Sequence, residues 1–198
     1  MGWPPIMRFE RSCVAARAPA MNLPIFTQKL VLRAFREADL DAFLAYRNDP
    51  DVARFQDWEG LAREAGVALL GRNAQSSSGK RGQWQQIAIA LAPSDRLIGD
   101  IGLFRRDDGF SAELGFTLAT RHQGQGLACE ALFGLIDALF DRSGLERLEA
   151  VTDTRNLPAM ALLARLGFGI RSTAEVVFKG VACREHTYTL SRSAWRTS

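Results

Sequence analysis

The chain reads as an α+β domain, and three features of its sequence carry that prediction. Residues 84–91, 96–104 and 110–119 are apolar alternating segments that follow one another across two short turns, so an antiparallel meander is the economical arrangement. A long amphipathic helix over residues 127–142 comes next, with Ala131, Leu132, Leu135, Leu139 and Phe140 on one stripe. Between meander and helix lies Arg121-His122-Gln123-Gly124-Gln125-Gly126, a Gly-rich turn where a strand gives way to a helix.

The remaining elements follow in order. Lys29-Leu30-Val31-Leu32-Arg33-Ala34-Phe35 is a strand. Asp39 stands where it would cap a helix running to about residue 48, with Leu40, Phe43, Leu44 and Arg47 at helical spacing, and Asp49-Pro50 ends it. A looser segment bearing Phe55 and Trp58 leads into a helix over about 62–74, and the Ser/Gly-rich residues 75–82 read as a loop. Within the meander, Ile87, Ile89 and Leu91 share a face. The second strand carries Leu97, Ile98, Ile101 and Leu103, and Asp107-Asp108-Gly109 turns the chain after it. The third sets Leu114, Phe116 and Leu118 opposite Glu113, Gly115 and Thr117. Gly144 marks the end of the long helix, and residues 147–154 return as a strand. Asn156 caps a second helix that tolerates Pro158 in its first turn and stops at Leu166-Gly167-Phe168. Strands over 169–178 and 183–190 close the domain, with no internal repeat and no second domain. Residues 25–198 are therefore one domain, and residues 1–24 an N-terminal extension expected to be disordered or to precede the true start of translation.

Composition narrows the function. At 198 residues the chain can bury a real core, and its apolar and charged fractions are those of an ordinary globular protein. The net charge is +3, of which Arg8, Arg11, Arg17 and Glu10 supply +2 before residue 27. The rest is nearly balanced and shows no stripe of Lys and Arg, which argues against nucleic acid as a partner. Cys13, Cys129 and Cys183 are odd in number and widely spaced, and His122 and His186 are the only histidines, so neither a disulfide framework nor a metal site is expected. No apolar run reaches the length of a membrane span. Charges interrupt the first twenty residues, so no secretory signal is read there, and a reduced cytoplasm is the expected setting.

The Gly turn says most about chemistry. A helix N-terminus presents several free N–H groups at one point, and the helix dipole makes that point favourable for a phosphate or pyrophosphate. Gly124 and Gly126 permit positive φ and let an anion approach the backbone without meeting a Cβ. The patterns of a P-loop and of a Rossmann dinucleotide site are both missing, which counts against ATP or a dinucleotide.

A strand–turn–helix with R-x-x-G-x-G, followed by a strand, an Asn-capped helix and Gly-Phe, resembles the GNAT superfamily of N-acetyltransferases. Thr27 to Arg33 with Asp39 and Asp49-Pro50 is similar to the opening of the branch that contains the RimJ/RimL-like ribosomal-protein N-terminal acetyltransferases. Glu113-Leu114-Gly115-Phe116, Glu130-Ala131, Arg147-Leu148-Glu149-Ala150 and residues 156–168 fit the same branch in order, so the resemblance covers about residues 26–195. It implies a three-layer α/β/α fold: a mixed, mostly antiparallel, twisted sheet of about seven strands with helices on both faces. It also implies acetyl-CoA as cosubstrate, bound where two central strands splay apart.

Acetyl-CoA suits these residues. Its pyrophosphate matches the Gly loop, and its amide-rich pantetheine arm can pair with a strand edge. Phe116, Thr117 and Leu118 lead directly into the loop and offer backbone for that pairing. By resemblance Arg121, Gln123, Gly124, Gln125, Gly126 and Leu127 form the phosphate loop, and Asn156 hydrogen-bonds the pantetheine arm. Asn156 could equally be a plain helix cap, or serve both roles. His122 belongs to the same loop, either near a phosphate or in solvent, and Cys129 reads as a small packed residue.

Acetyl transfer to an amine requires a neutral nucleophile, an oxyanion donor and protonation of the departing thiolate. Glu113 matches the Glu that serves as base in histone-type members, and burial would raise its pKa toward a useful range for action through a water. The plain alternative is a Glu that pairs with a nearby Arg. The backbone N–H of Thr117 is the matching oxyanion donor. Relatives carry a Tyr or a Ser as acid where this chain has Leu163 and Ala159, and a Glu where it has Arg171. Tyr46 and Tyr188 are the only tyrosines, and a thiol of pKa about 8.5 can leave unaided. Phe55, Trp58 and Trp84 are candidates for the acceptor pocket, or else ordinary lid packing. These readings imply an N-acetyltransferase acting on a primary amine by direct attack, with no covalent enzyme intermediate. A protein N-terminus, a polyamine and an antibiotic all fit as acceptor. The rival is a catalytically degenerate acetyl-CoA-binding regulatory domain. Dimers are common in the resembled branch, though no exposed heptad argues for one here.

Overall fold

The computed structural model describes residues 22–75 and 81–197. Most of the expected N-terminal extension and much of the Ser/Gly-rich loop therefore lie outside the described residues. Among the described residues the alternating segments become β1 (Ile25–Phe26), β2 (Leu30–Arg33), β3 (Trp84–Leu91), β4 (Leu97–Arg105), β5 (Ser111–Leu118), β6 (Arg147–Asp153), β7 (Gly169–Phe178) and β8 (Val181–Ser191). They form one sheet in the order β1-β2-β3-β4-β5-β6-β8-β7. That is one strand more than expected. The addition, β1, pairs with β2 through Ile25↔Leu32 and Phe26↔Val31, and two residues are too few to show any alternation in sequence.

Every neighbouring pair is antiparallel except β5 and β6. These two run parallel and stay in register only from Ser111↔Arg147 to Glu113↔Glu149. Past that rung β5 continues to pair with β4 as far as Leu118, while β6 continues to pair with β8 as far as Asp153. Each strand follows its other partner, and the facing edges of β5 and β6 part. This is the central splay.

The helices are α1 (Leu40–Arg47), α2 (Pro50–Ala53), α3 (Arg63–Gln75), α4 (Leu127–Arg142), α5 (Leu157–Arg165) and α6 (Arg192–Trp195). Leu132, Leu135 and Leu139 of α4 and Leu163 of α5 are buried with Leu30, Ile87, Ile101, Leu114 and Leu148 of the sheet. A second cluster joins Phe43 and Tyr46 of α1 and Leu70 of α3 to Ala88 and Leu97. The sheet thus carries helices on both faces. All five residues of the expected α4 stripe are buried, each large one contributing roughly 1.5–3 kcal/mol.

Polar contacts fix α1 and the chain start. Asp39 does not cap α1 with its side chain. Its carboxylate instead accepts both terminal nitrogens of buried Arg33, at 2.7 and 2.9 Å, and the Arg36 N–H at 2.8 Å, a charge-assisted pairing stronger than a cap bond. Asp49-Pro50 ends α1 and also begins α2, with the Asp49 side chain accepting from Asp51 N–H at 3.0 Å. Glu130 accepts from Thr27 Oγ and from the Lys29 N–H, both at 2.6 Å. Two short motifs 100 residues apart in sequence therefore meet at one carboxylate.

Candidate active site

A cavity of about 450 Å³ opens at the splay. One wall is the freed edge of β5, Phe116 to Leu118; another is the turn and the start of α4; a third is α5; the fourth is Asp51 to Gln56 after α1. At the turn, Gly124 and Gly126 have φ of 70° and 77°, and a Cβ at either would meet nothing within 4 Å. That space is room for a ligand. Gly126 is the N-cap of α4 and caps it with no side chain, so the first N–H groups of the helix are left to whatever occupies the cavity.

The edge of β5 has a definite polarity. Ala119 N–H bonds the Ile98 carbonyl of β4 at 2.9 Å, and in an antiparallel ladder alternate residues bond the same neighbour. Thr117, opposite Asp100, therefore directs its N–H and C=O to β4. Phe116 and Leu118 direct theirs into the splay. Their carbonyls are met by side-chain amides, Gln123 Nε2 donating to Leu118 O at 2.9 Å and Gln56 Nε2 to Phe116 O at 3.5 Å. The oxyanion donor expected at the Thr117 N–H thus points away from the cavity, because a strand's alternation, invisible in the order of residues, decides which edge a backbone group serves. Thr117 keeps a place in the cavity lining.

Other expected residues divide clearly. Gln123, Gly124, Gly126, Leu127 and Asn156 line the cavity, as does Phe55. Asn156 is also the helix cap, its Oδ1 accepting from Ala159 N–H at 3.3 Å. Arg121 and Gln125 do not line it; Gln125 Nε2 donates to Arg121 O at 2.9 Å, and Arg121 Nε to His122 Nε2 at 3.1 Å, so they brace the turn. His122 is buried rather than solvated, and it faces the cavity. Burial, then the nearby Arg121 and Arg96, hold its pKa below the usual value. Trp58 and Trp84 are not brought to the cavity. Trp58 stacks on the Arg47 guanidinium at 3.7 Å, and Trp84, half exposed, packs its ring on Phe104 at 5.5 Å.

Glu113 sits on the last paired rung, opposite Glu149 and outside the cavity lining. Phe116 lies three positions further along the strand, about 10 Å away. Arg106 donates to Glu113 at 3.1 Å and to Glu149 at 2.8 Å with the same nitrogen. Glu149 is buried and also takes Arg171 at 2.5 Å and Arg147 at 3.3 Å. Arg171, the residue of opposite charge at its position, thus serves Glu149. Burial pushes the Glu113 carboxyl above its usual range; Arg106 opposes this and Glu149 adds to it.

Leu163 and Ala159 are both buried and apolar, and Tyr188 is buried on β8 outside the cavity lining. No hydroxyl of Tyr or Ser lines the cavity among the described residues. Sequence reading missed Leu162 and Arg165, which line the cavity from α5 with Pro158. Positions 158, 162 and 165 are spaced i, i+4, i+7 from a helix whose cap was already recognised, so their common face was available as a signal. No group of three His, Cys, Asp or Glu among the described residues is arranged to hold a metal, and no described helix is long and apolar enough to cross a membrane.

Comparison with known proteins gives the family and the fold. The family model for the acetyltransferase (GNAT) domain matches residues 29–169. An uncharacterized N-acetyltransferase, p20 of Bacillus licheniformis, is 30% identical over 145 residues, covering 73% of this chain and 81% of that one. Among solved structures, RimL, a ribosomal L7/L12 alpha-N-protein acetyltransferase in complex with coenzyme A, is similar with a TM-score of 0.75 at 19% identity, over 85% of this chain and 98% of that one. Spermidine N-acetyltransferase from Vibrio cholerae, in complex with CoA and spermine, is similar with a TM-score of 0.73 at 19% identity, over 84% and 98%. The family match spans both the strand–turn–helix and α5, well over half of the sequence, and the chain belongs to the GNAT family of acetyltransferases.

Proposed function

We propose that the protein moves an acetyl group from acetyl-CoA to a primary amine by direct attack. The observation that carries this reading is the cavity itself: a splayed strand edge that pairs with no other strand, running straight into a helix N-terminus left uncapped by any side chain. Pyrophosphate at the N–H groups of residues 124–127 and the pantetheine arm along Phe116 to Leu118 fill the two kinds of surface present, the Gln123 N–H being held by Thr120 O at 3.1 Å. The arm displaces Gln56 and Gln123 from the carbonyls they hold. Arg165 adds a cation to the α5 wall.

In this reading the amine approaches from the α1–α3 side, loses a proton through water to Glu113, and attacks the thioester carbon. A tetrahedral oxyanion forms within reach of the N–H groups on the freed edge, Phe116 or Leu118. The C–S bond then breaks, the nitrogen gives its second proton to water, and the thiolate takes its proton from water. Acceptors of the two solved relatives are a ribosomal protein N-terminus and spermidine, and amines of both kinds are the first to assay. A second reading is a domain that binds acetyl-CoA without turnover, favoured by the apolar Leu163 and Ala159.

Calorimetric titration of acetyl-CoA tests the cofactor assignment, with Gly124→Glu as control. The native protein should bind with micromolar affinity or better. The variant puts a carboxylate in the open space beside Gly124 and should bind at least a hundredfold more weakly. Failure of a well-folded native protein to bind would remove both readings.

A further inference from the structure

One ammonium group joins two distant parts of the chain on the acceptor side of the splay. Lys179 Nζ donates to the Ala53 carbonyl at 3.0 Å and to the Trp58 carbonyl at 2.7 Å. These carbonyls bracket residues 54–57, so a single cation ties both ends of the loop that sets Phe55 and Gln56 in the cavity wall. The Ala53 carbonyl closes α2, where a cation is favoured, and it also accepts the Gln56 N–H at 3.0 Å. Two of the three ammonium donors are used.

The backbone at Lys179 suits another residue better. Phe178 pairs with Val181, leaving Lys179-Gly180 as a two-residue turn with φ of 50° and 75°. Both values are positive, the pattern in which Asn-Gly is the usual choice. The turn alone does not call for lysine; the reach of its side chain across to α2 does.

We propose that Lys179 is a positioning residue for the amine acceptor: it clasps the β7–β8 hairpin to the loop after α2 and so holds Phe55 and Gln56 as the wall that meets the incoming amine. This rests on the acetyltransferase reading above. Lys179 does not line the cavity, so its action passes through the loop. Gln56 leans on Phe116 O, and once the cofactor arm takes that carbonyl, the clasp is what keeps the freed amide beside the reacting centre.

Three variants separate the cation from the turn. Lys179→Met removes the donors, Lys179→Asn removes them while suiting the turn, and Lys179→Arg keeps a cation. The readouts are acetyl-CoA affinity by calorimetry and acetylation of a panel of spermidine, cadaverine, Ser-Gly-Gly and Lys-Gly-Gly. For any panel amine acetylated, the Met and Asn variants should raise KM at least fivefold while kcat and acetyl-CoA affinity stay within twofold. Arg should recover most of the loss. An unchanged KM, or a fall in acetyl-CoA affinity equal to the loss of transfer, would overturn the clasp. A native protein that binds acetyl-CoA and acetylates no member of the panel would instead overturn the transferase reading, and the clasp with it.

Discussion

Glu113 carries most of the chemical burden proposed for a single side chain, and its surroundings pull in two directions. Burial and the neighbouring Glu149 favour the neutral carboxyl, while the Arg106 guanidinium favours the carboxylate, and the balance lies above the ordinary range. A base must be ionised to act, so transfer should fall as pH drops through a value above that of an ordinary glutamate, about 4.3. In Glu113→Gln this acid limb should vanish, and kcat/KM should fall by about a hundredfold or more, with acetyl-CoA affinity within twofold of native. A variant that retains full transfer would leave Glu113 as an ion-pair residue only. Asn156 shows a different kind of doubling: its side chain caps α5 while the residue lines the cavity.

At the scale of elements, α1 is held to the sheet by a buried charge pair. Asp100 of β4 accepts from Arg47 and from Tyr46, each at 2.6 Å, and Trp58 stacks over the same guanidinium. Both charged side chains are almost fully buried. Removing one partner strands the other in a medium that cannot solvate it, which costs roughly 3–5 kcal/mol. Arg47→Met should therefore lower the urea midpoint by that much free energy at unchanged m-value, measured by far-UV circular dichroism. Replacing Arg47 and Asp100 together with apolar residues should recover a large part of the loss, since the orphaned charge is then gone. An Arg47→Met protein as stable as native would mean that the pair is offset by its own desolvation. The helix pattern around Arg47 was legible, because period and volume select the apolar stripe. Its ionic partner was not, since nothing local in a sequence ties residue 47 to residue 100.

For the whole molecule, acid stability offers a test of the right half of the sheet. Asp153 ends β6 and accepts from Arg155 Nε, a terminal nitrogen and the backbone N–H, at 2.9, 2.5 and 2.8 Å. These bonds, against the opposing effect of burial, lower its pKa to about 2. A carboxyl depressed in the folded state lends stability that is complete above its unfolded value, near 4, and is lost as pH falls through the folded one. Native stability, followed by denaturant titration, should thus decline between about pH 4 and pH 2. Asp153→Asn should flatten that slope; an unchanged slope would assign the acid sensitivity elsewhere. What the sequence determined by itself were the seven longer strands, the Gly turn at the start of α4, and the order of motifs that identifies the family, because each is encoded by residues adjacent in the chain. Only the tertiary structure decided the polarity of the β5 edge, which turns Thr117 away and Phe116 inward, the convergence of Arg106, Arg147 and Arg171 on Glu149, and the reach of Lys179 to α2. Each of these depends on register, where a shift of one residue reverses every direction, or on contacts between segments whose separation along the chain carries no local signal.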